Sequence, residues 1–350
     1  MILVERGDDV AVEFKKRVQQ AEILDAQRDD QKKVLTLETR WDPLTKKTVR
    51  ILDLPIKRLD KKNIEEFLGR IEQVRCPFCP DSLEELTPKF TDDFIQGGRL
   101  RFGEVCVIPN RLPFDKFCAV AILTQEHYVS ISDFTEEILF NGFSTAQVFL
   151  RRVVEVDTAV KFFSINWNYL PMSGGSVIHP HVHIISGELP TNYQWEMIQL
   201  GREYQQTWGK NFWDELICKE KEQGERYIGS VGNTVWLATY APRGFADIMV
   251  IFRERTAIID LSDQDLRDFV QGLINVFRYF HEFNHYSFNL SLYGGEYGQD
   301  DSFWVNARII TRRLVPPVDA SDVSYFVLLH GESVGYKKPE RLCDEIRGYF

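Results

Sequence analysis

No apolar run in this 350-residue chain approaches the roughly 18 residues that a membrane-spanning helix needs, so no membrane association is expected. Cysteine is scarce. The six residues, Cys76, Cys79, Cys106, Cys118, Cys218 and Cys343, are too few and too scattered for a disulfide-stapled scaffold. Positive charge is also short, with 42 Lys and Arg against 52 Asp and Glu. The net charge of -10 would repel a nucleic-acid backbone, so nucleic acid is excluded as a partner. A small phosphorylated substrate is compatible with that charge, because a few local basic groups or backbone N–H groups suffice to hold it. Residues Met1 to Asp9 lack the apolar segment and cleavage site of a signal peptide, which leaves the cytoplasm as the expected location. What is present is ordinary globular material: 44% hydrophobic residues, 13% of all residues aromatic, and enough length for one large core or two average ones.

Along the chain, the spacing of Val12, Phe14, Val18 and Ile23 predicts one or two helices packed outside the core over residues 1–34. A turn at Arg40-Trp41-Asp42-Pro43-Leu44-Thr45 precedes a short strand at Thr48–Leu52, and residues 62–72 read as helix. Strands are expected at 104–109, 117–123, 161–169 and 177–186, with helices at 133–153 and 191–222. This order then repeats. Ala119-Val120-Ala121-Ile122 matches Met249-Val250-Ile251-Phe252, and Val129-Ser130-Ile131-Ser132-Asp133 matches Ile259-Asp260-Leu261-Ser262-Asp263, both 130 residues later. Ser132 and Ser262 are the expected helix caps, and further strands are expected at 286–293 and 303–311. The chain therefore divides into an N-terminal helical extension (1–36), a first half (37–222) and a second half (223–350). The fold class is α+β, with two duplicated antiparallel-sheet half-units and flanking helices.

The halves differ where chemistry would sit. His127 is matched by Ala257, and no histidine lies between His285 and His330. The first half instead carries His179-Pro180-His181-Val182-His183. On a strand, alternate residues share one face, so these three imidazoles would form a ladder. A surface histidine cluster or an incidental zinc site is the plainer alternative. Just upstream, Met172-Ser173-Gly174-Gly175-Ser176 supplies a tight turn whose backbone N–H groups suit an anion. Cys76-Pro77-Phe78-Cys79 has the spacing of half a tetrahedral zinc site. His127 and His179 would complete a closed Cys₂His₂ set and leave His181 and His183 for catalysis. A redox role for the pair is disfavoured, because no βαβ pattern of the thioredoxin kind surrounds it.

These motifs together resemble the histidine-triad (HIT) superfamily and, within it, the galactose-1-phosphate uridylyltransferase-like family. The resemblance runs over about residues 38–345 and rests on the cysteine knuckle and the His-Pro-His signature. Arg40-Trp41-Asp42-Pro43-Leu44-Thr45, and Asn110 with Pro113-Phe114-Asp115, add to it. It implies a HIT-like fold and structural Zn²⁺ on Cys76, Cys79, His127 and His179. It also implies His181 as the nucleophile that takes a nucleoside monophosphate, such as UMP, from a nucleotide sugar and passes it to a phosphorylated small-molecule acceptor. Asn168, Gly175 and Ser176 would contact the phosphoryl group, Asn110 the nucleoside, and Arg58 the phosphates, while Pro55 stands where the family has a second arginine. A homodimer is implied as well. A neutral imidazole, with an unperturbed pKa near 6.5, is a competent nucleophile for such chemistry.

His183 departs from the transferase signature, which has Gln there. A third histidine is the pattern of hydrolase branches of the superfamily, so a nucleotide-sugar or dinucleotide hydrolase or phosphorylase is the alternative. Phe326 and Glu332 stand where the family's hexose-gripping Glu and Gln are expected. With no histidines in the matching part of the second half, no second metal is predicted.

Overall fold

The computed structural model describes residues 11–26, 29–53, 68–69, 75–299, 301–315 and 320–350. The helix expected at 62–72 and the positions of Arg58 and Pro55 lie outside the described residues, apart from 68 and 69 of that helix, which are helical.

Residues 16–41 correct the sequence reading. They form an antiparallel ribbon, β1 (Lys16–Asp25) with β2 (Gln31–Trp41), in a register running from Lys16 opposite Arg40 to Asp25 opposite Gln31. The helix-like spacing was a coincidence of residues with separate fates. Val12 is buried beside Phe14 in the body of the protein, whereas Val18 and Ile23 project into solvent from the ribbon. Asp29 and Asp30 adopt positive φ, which a short polar side chain tolerates and which turns the chain back. β3 (Thr48–Ile51) continues this small sheet.

The first half proceeds through α1 (Pro80–Leu86), β4 (Leu100–Phe102), β5 (Val105–Pro109), β6 (Phe117–Ile122), α2 (Glu136–Val156), β7 (Phe162–Tyr169) and β8 (His181–Gly187). Two helices follow, α3 (Asn192–Trp208) and α4 (Phe212–Gln223). The stretch 191–222 is helical as expected, in two pieces: Gly209 in the left-handed conformation ends the first, and the Asn211 side chain caps the second. The second half adds β9 (Tyr227–Val231), β10 (Thr234–Ala238), β11 (Asp247–Phe252), α5 (Asp263–Glu282), β12 (Ser287–Tyr293) and β13 (Asn306–Arg312). β14 (Leu314–Val315) and β15 (Ala320–Ser321) form a short ribbon. α6 (Tyr325–His330), β16 (Ser333–Gly335), which pairs in parallel with β3, and α7 (Pro339–Ile346) close the chain.

The main sheet has ten strands in the order β4-β5-β6-β8-β7-β12-β13-β11-β10-β9. Each half contributes five strands in mirrored order, and β7 meets β12 at the centre with Asn166 opposite Ser291. The duplication read from sequence is thus a pseudo-twofold arrangement within one sheet. α2 and α5 bury their apolar sides against one face, where Phe143 and Phe269 meet at 5.2 Å. Ser262 caps α5 in a capping box with Asp265, as expected. Ser132 does not cap α2; Thr135 does, because Phe134 must first turn into the core.

On the other face, α3 and α4 cover the second half through Met197, Phe212 and Trp213. A buried ion network ties this side to the termini. Arg40 is bonded to Glu38 and Glu340 (both 2.7 Å), and Arg226 to Glu220 and Glu340 (both 3.0 Å). Burial would raise the Glu340 carboxyl, but Arg40 and then Arg226 outweigh it and hold it down to about 2. A depressed carboxylate stabilises the fold above its unfolded pKa and loses that contribution as pH falls toward the folded value. Acid unfolding between about pH 4.5 and 2 should therefore be steep for the wild type and shallower for Glu340→Gln. Glu340→Ala, which removes the partner shared by two buried guanidinium groups and leaves each with one buried carboxylate, should cost about 3 kcal/mol, read from denaturant midpoints at neutral pH.

Candidate active site and metal centre

With the second half covered, the exposed part of that face lies over the central strands. Asn166 and Asn168 on β7, His183 on β8, and Asn289 and Ser291 on β12 alternate with fully buried apolar neighbours and remain partly exposed. The register sets His183 opposite Asn166, Asn166 opposite Ser291, and Ser291 opposite Arg308. Strand pairing thereby makes a polar groove floor from residues far apart in sequence.

At one end of this groove is the cysteine knuckle. The ligand atoms of Cys76, Cys79, His127 and His179 all lie within 4.8 Å of one another. Cys79 Sγ is 3.2 Å from His127 Nδ1 and 3.7 Å from His179 Nδ1, and Cys76 Sγ is 3.8 Å from His179 Nδ1. These are the edge lengths of a small tetrahedron, and two sulfurs with two imidazole nitrogens are a donor set that could hold a metal ion. His179 Nε2 lies 2.8 Å from the Thr124 carbonyl, an outer partner that fixes the ring and leaves Nδ1 to face the sulfurs. Burial, followed by the adjacent Cys76, pushes the Cys79 thiol up to about 11. Holding both sulfurs as thiolates at neutral pH would take a cation between them.

β8 begins at His181, later than the expected 177, since Pro180 has no N–H to give the ladder. His179 therefore precedes the strand and belongs to the cluster, while His181 and His183 form the ladder, their ring centroids 5.1 Å apart. His181 is 4% exposed, and Phe78 of the knuckle packs edge-on against it at 5.1 Å. Its Nδ1 donates to the carbonyl oxygen of His179 at 2.7 Å, so Nε2 carries the lone pair. Burial pushes the His181 imidazole down to about 4, and burial lowers His183 as well. The His183 Nδ1 is buried with no partner among the described residues.

The Gly turn packs on β7 and β12. Leu170 and Gly174 adopt positive φ, and Gly175 is so close to the Asn168 and Leu170 carbonyls that a Cβ would stand 2.8 Å and 3.3 Å from them. Gly175→Ala should displace the turn and lower any phosphoryl-directed activity at least about tenfold with zinc content unchanged, measured as turnover and metal stoichiometry. Ser176 is exposed at the end of this turn. Asn110 accepts from Leu112 N at 3.0 Å, closing the β5–β6 loop. It sits near the far end of β6 from Ile122, which pairs with His181, a separation of about 13 Å along the strand. Glu332 bonds to Arg50 and Thr48 on β3. Sequence reading did not single out Phe78, Asn166, Asn289 and Arg312; the three polar residues gave no signal beyond their places on strands, and Phe78 none beyond its place inside the cysteine knuckle.

No protein-family model matches the chain. An uncharacterized protein of Archaeoglobus fulgidus is 33% identical over 338 residues, covering 96% of this chain and 98% of its own. The chain belongs to that protein's family. Among solved structures, it is similar to an ADP-glucose phosphorylase from Arabidopsis thaliana with bound ADP-glucose, with a TM-score of 0.68, 16% identity, and 89% and 98% of the two chains covered. A galactose-1-phosphate-uridylyltransferase-like protein of the same plant gives 0.67 at 16% identity, over 88% and 98%. A uridylyltransferase gives 0.65 at 15%, over 89% and 97%. The expected HIT-like α+β fold is therefore the fold of this chain. Among the described residues, no helix is long and apolar enough to cross a membrane.

Proposed function

We propose that the protein is a nucleotidyltransferase that moves a nucleoside monophosphate from a nucleotide sugar to a phosphorylated acceptor through a covalent nucleotidyl-His181 intermediate. The observation that carries this reading is the hydrogen bond from His181 Nδ1 to the His179 carbonyl. It commits Nε2 to be the unprotonated nitrogen, and burial keeps the ring neutral near pH 7. Nε2 attacks the α-phosphorus, an N–P bond forms, and the α–β bridging oxygen leaves with the sugar phosphate. An oxygen of the acceptor's phosphate then attacks the same phosphorus and the N–P bond breaks. Asn168, Ser176 and the N–H groups around Gly175 hold the phosphoryl oxygens in both steps, and Asn110 meets the nucleoside.

The donor set of Cys76, Cys79, His127 and His179 fits zinc in a structural role, closed to substrate. The same reading makes the protein a homodimer, for which the solvent-exposed Tyr325, Leu328 and Leu329 of α6 offer an apolar contact face.

His183 favours a second reading. Its partly exposed ring beside His181 could orient water or inorganic phosphate, making the enzyme a hydrolase or phosphorylase. The similar fold of the ADP-glucose phosphorylase lends this some support. Mass spectrometry after incubation with UDP-, GDP- and ADP-glucose tests both. A nucleotidyl mass increment that persists until a sugar phosphate is added supports the transferase. Discharge by phosphate or water alone moves the assignment to the second reading, and no adduct with no turnover removes both.

A further inference from the structure

The groove floor contains a chain of hydrogen bonds in which every amide orientation is determined. Asn289 on β12 lies opposite Asn168 on β7. Its Nδ2 donates twice, to Asn168 Oδ1 at 2.6 Å and to the Ser173 carbonyl at 2.9 Å. Its own Oδ1 accepts from Arg312 Nη1 at 2.8 Å. Arg312 is clamped in turn by Asp322, whose two carboxylate oxygens each lie 3.0 Å from Nε. Asp322 also accepts from Arg313 N at 3.0 Å.

We propose that Asn289 is a positioning residue for the phosphoryl site, locked in one amide orientation by Arg312 and Asp322, so that Asn168 presents its Nδ2–H₂ to the substrate. The proposal rests on the nucleotidyl-transfer reading and assigns that reaction a part supplied by the second half of the chain.

A guanidinium can only donate, so the atom of Asn289 facing Arg312 must be the carbonyl oxygen. Its NH₂ then faces Asn168 and Ser173, and the atom of Asn168 facing it must be an acceptor. That leaves Asn168 Nδ2, which has no partner among the described residues, as a donor pair. A negatively charged phosphoryl oxygen needs a donor there and would be repelled by Oδ1. The second bond, to Ser173 O, holds the start of the turn that contains Gly174 and Gly175. Fixing two phosphate-facing groups through one side chain is the kind of preorganisation that matters most when charge develops in the transition state.

Isosteric replacement separates this role from a structural one. Asn289→Asp keeps the shape and strengthens the contact with Arg312, but it can only accept. Asn168 would then flip to donate to it and turn Oδ1 toward the phosphate. Asn289→Ala removes the clamp without imposing the wrong orientation. The rate constant for adduct formation at saturating nucleotide sugar should fall about 100-fold in the Asp variant and about 10-fold in the Ala variant, with thermal midpoints close to wild type. A purely structural residue would reverse that order, because Ala leaves the larger void. Equal rates, or Ala worse than Asp, overturn the proposal.

ADP binding by calorimetry in the same three proteins supplies a second measurement. If the wild type makes no adduct, the transfer reading fails, while the order Asn above Ala above Asp in ADP affinity still supports the orienting role. Equal affinities, or no ADP binding by the wild type, overturn that as well.

Discussion

His181→Ala should form no nucleotidyl adduct and should turn over nucleotide sugar at least about 10⁴-fold more slowly than the wild type, since removal of a covalent nucleophile is not shared out among other groups. The expectation follows from how little else in the groove could replace it. His179 Nδ1 faces the two cysteine sulfurs and its Nε2 is held at Thr124, so neither nitrogen is free. His183 is next along the strand, but no acceptor among the described residues fixes its Nδ1. Binding should be nearly unaffected, because Asn168 and the Gly turn sit on other segments; a change in ADP affinity of more than about tenfold would mean that the substitution had disturbed the groove. Retention of the adduct in His181→Ala would move the nucleophile to His183. No adduct and no turnover in either protein, with ligand affinity unchanged by the substitution, would leave a binding protein as the better description.

Much of this site was legible in the sequence because its chemistry is local. Cys76 and Cys79 are three apart on one knuckle, and His179, His181 and His183 fall within five residues, so spacing alone indicates metal ligands and a strand face. The convergence of Cys76, Cys79, His127 and His179 was legible too, as a half-site of two cysteines that two histidines complete. Asn289, Arg312 and Asp322 were not legible. They reach the groove through the β7–β12 pairing, whose register is set by the packing of α2 and α5 on the far face and has no short-range signature. The error at the N-terminus has the opposite origin. A ribbon exposed on both faces carries no clean alternation, and four apolar residues at helical spacing were enough to mislead when two of them belonged to the core and two to solvent. A boundary failed where one residue's stereochemistry decides it, as at Pro180 before β8.

Cys76→Ser should abolish stoichiometric zinc binding and lower stability by more than about 4 kcal/mol, the range in which loss of a metal site falls. Four residues on three segments converge on one point: the 76–79 knuckle, His127 after β6, and His179 before β8. The apolar support beneath the knuckle is thin, being Leu83, Cys106, Ile108, Val120 and Ile122 with Phe78 packed against them. A cluster of that size does not offset the cost of holding two thiols and two imidazoles together, so without a cation the knuckle should open. The consequence reaches the nucleophile by two routes. Phe78 lies between the two cysteines and covers His181, and the carbonyl of His179 is the acceptor that fixes the His181 tautomer. Metal removal should therefore slow adduct formation even where the rest of the sheet stays folded, and hydrogen exchange should rise first in 75–86 while α2 and α5 remain protected. Wild-type protein purified without metal, yet as stable and as fast as the zinc-loaded form, would show that the four side chains need no ion.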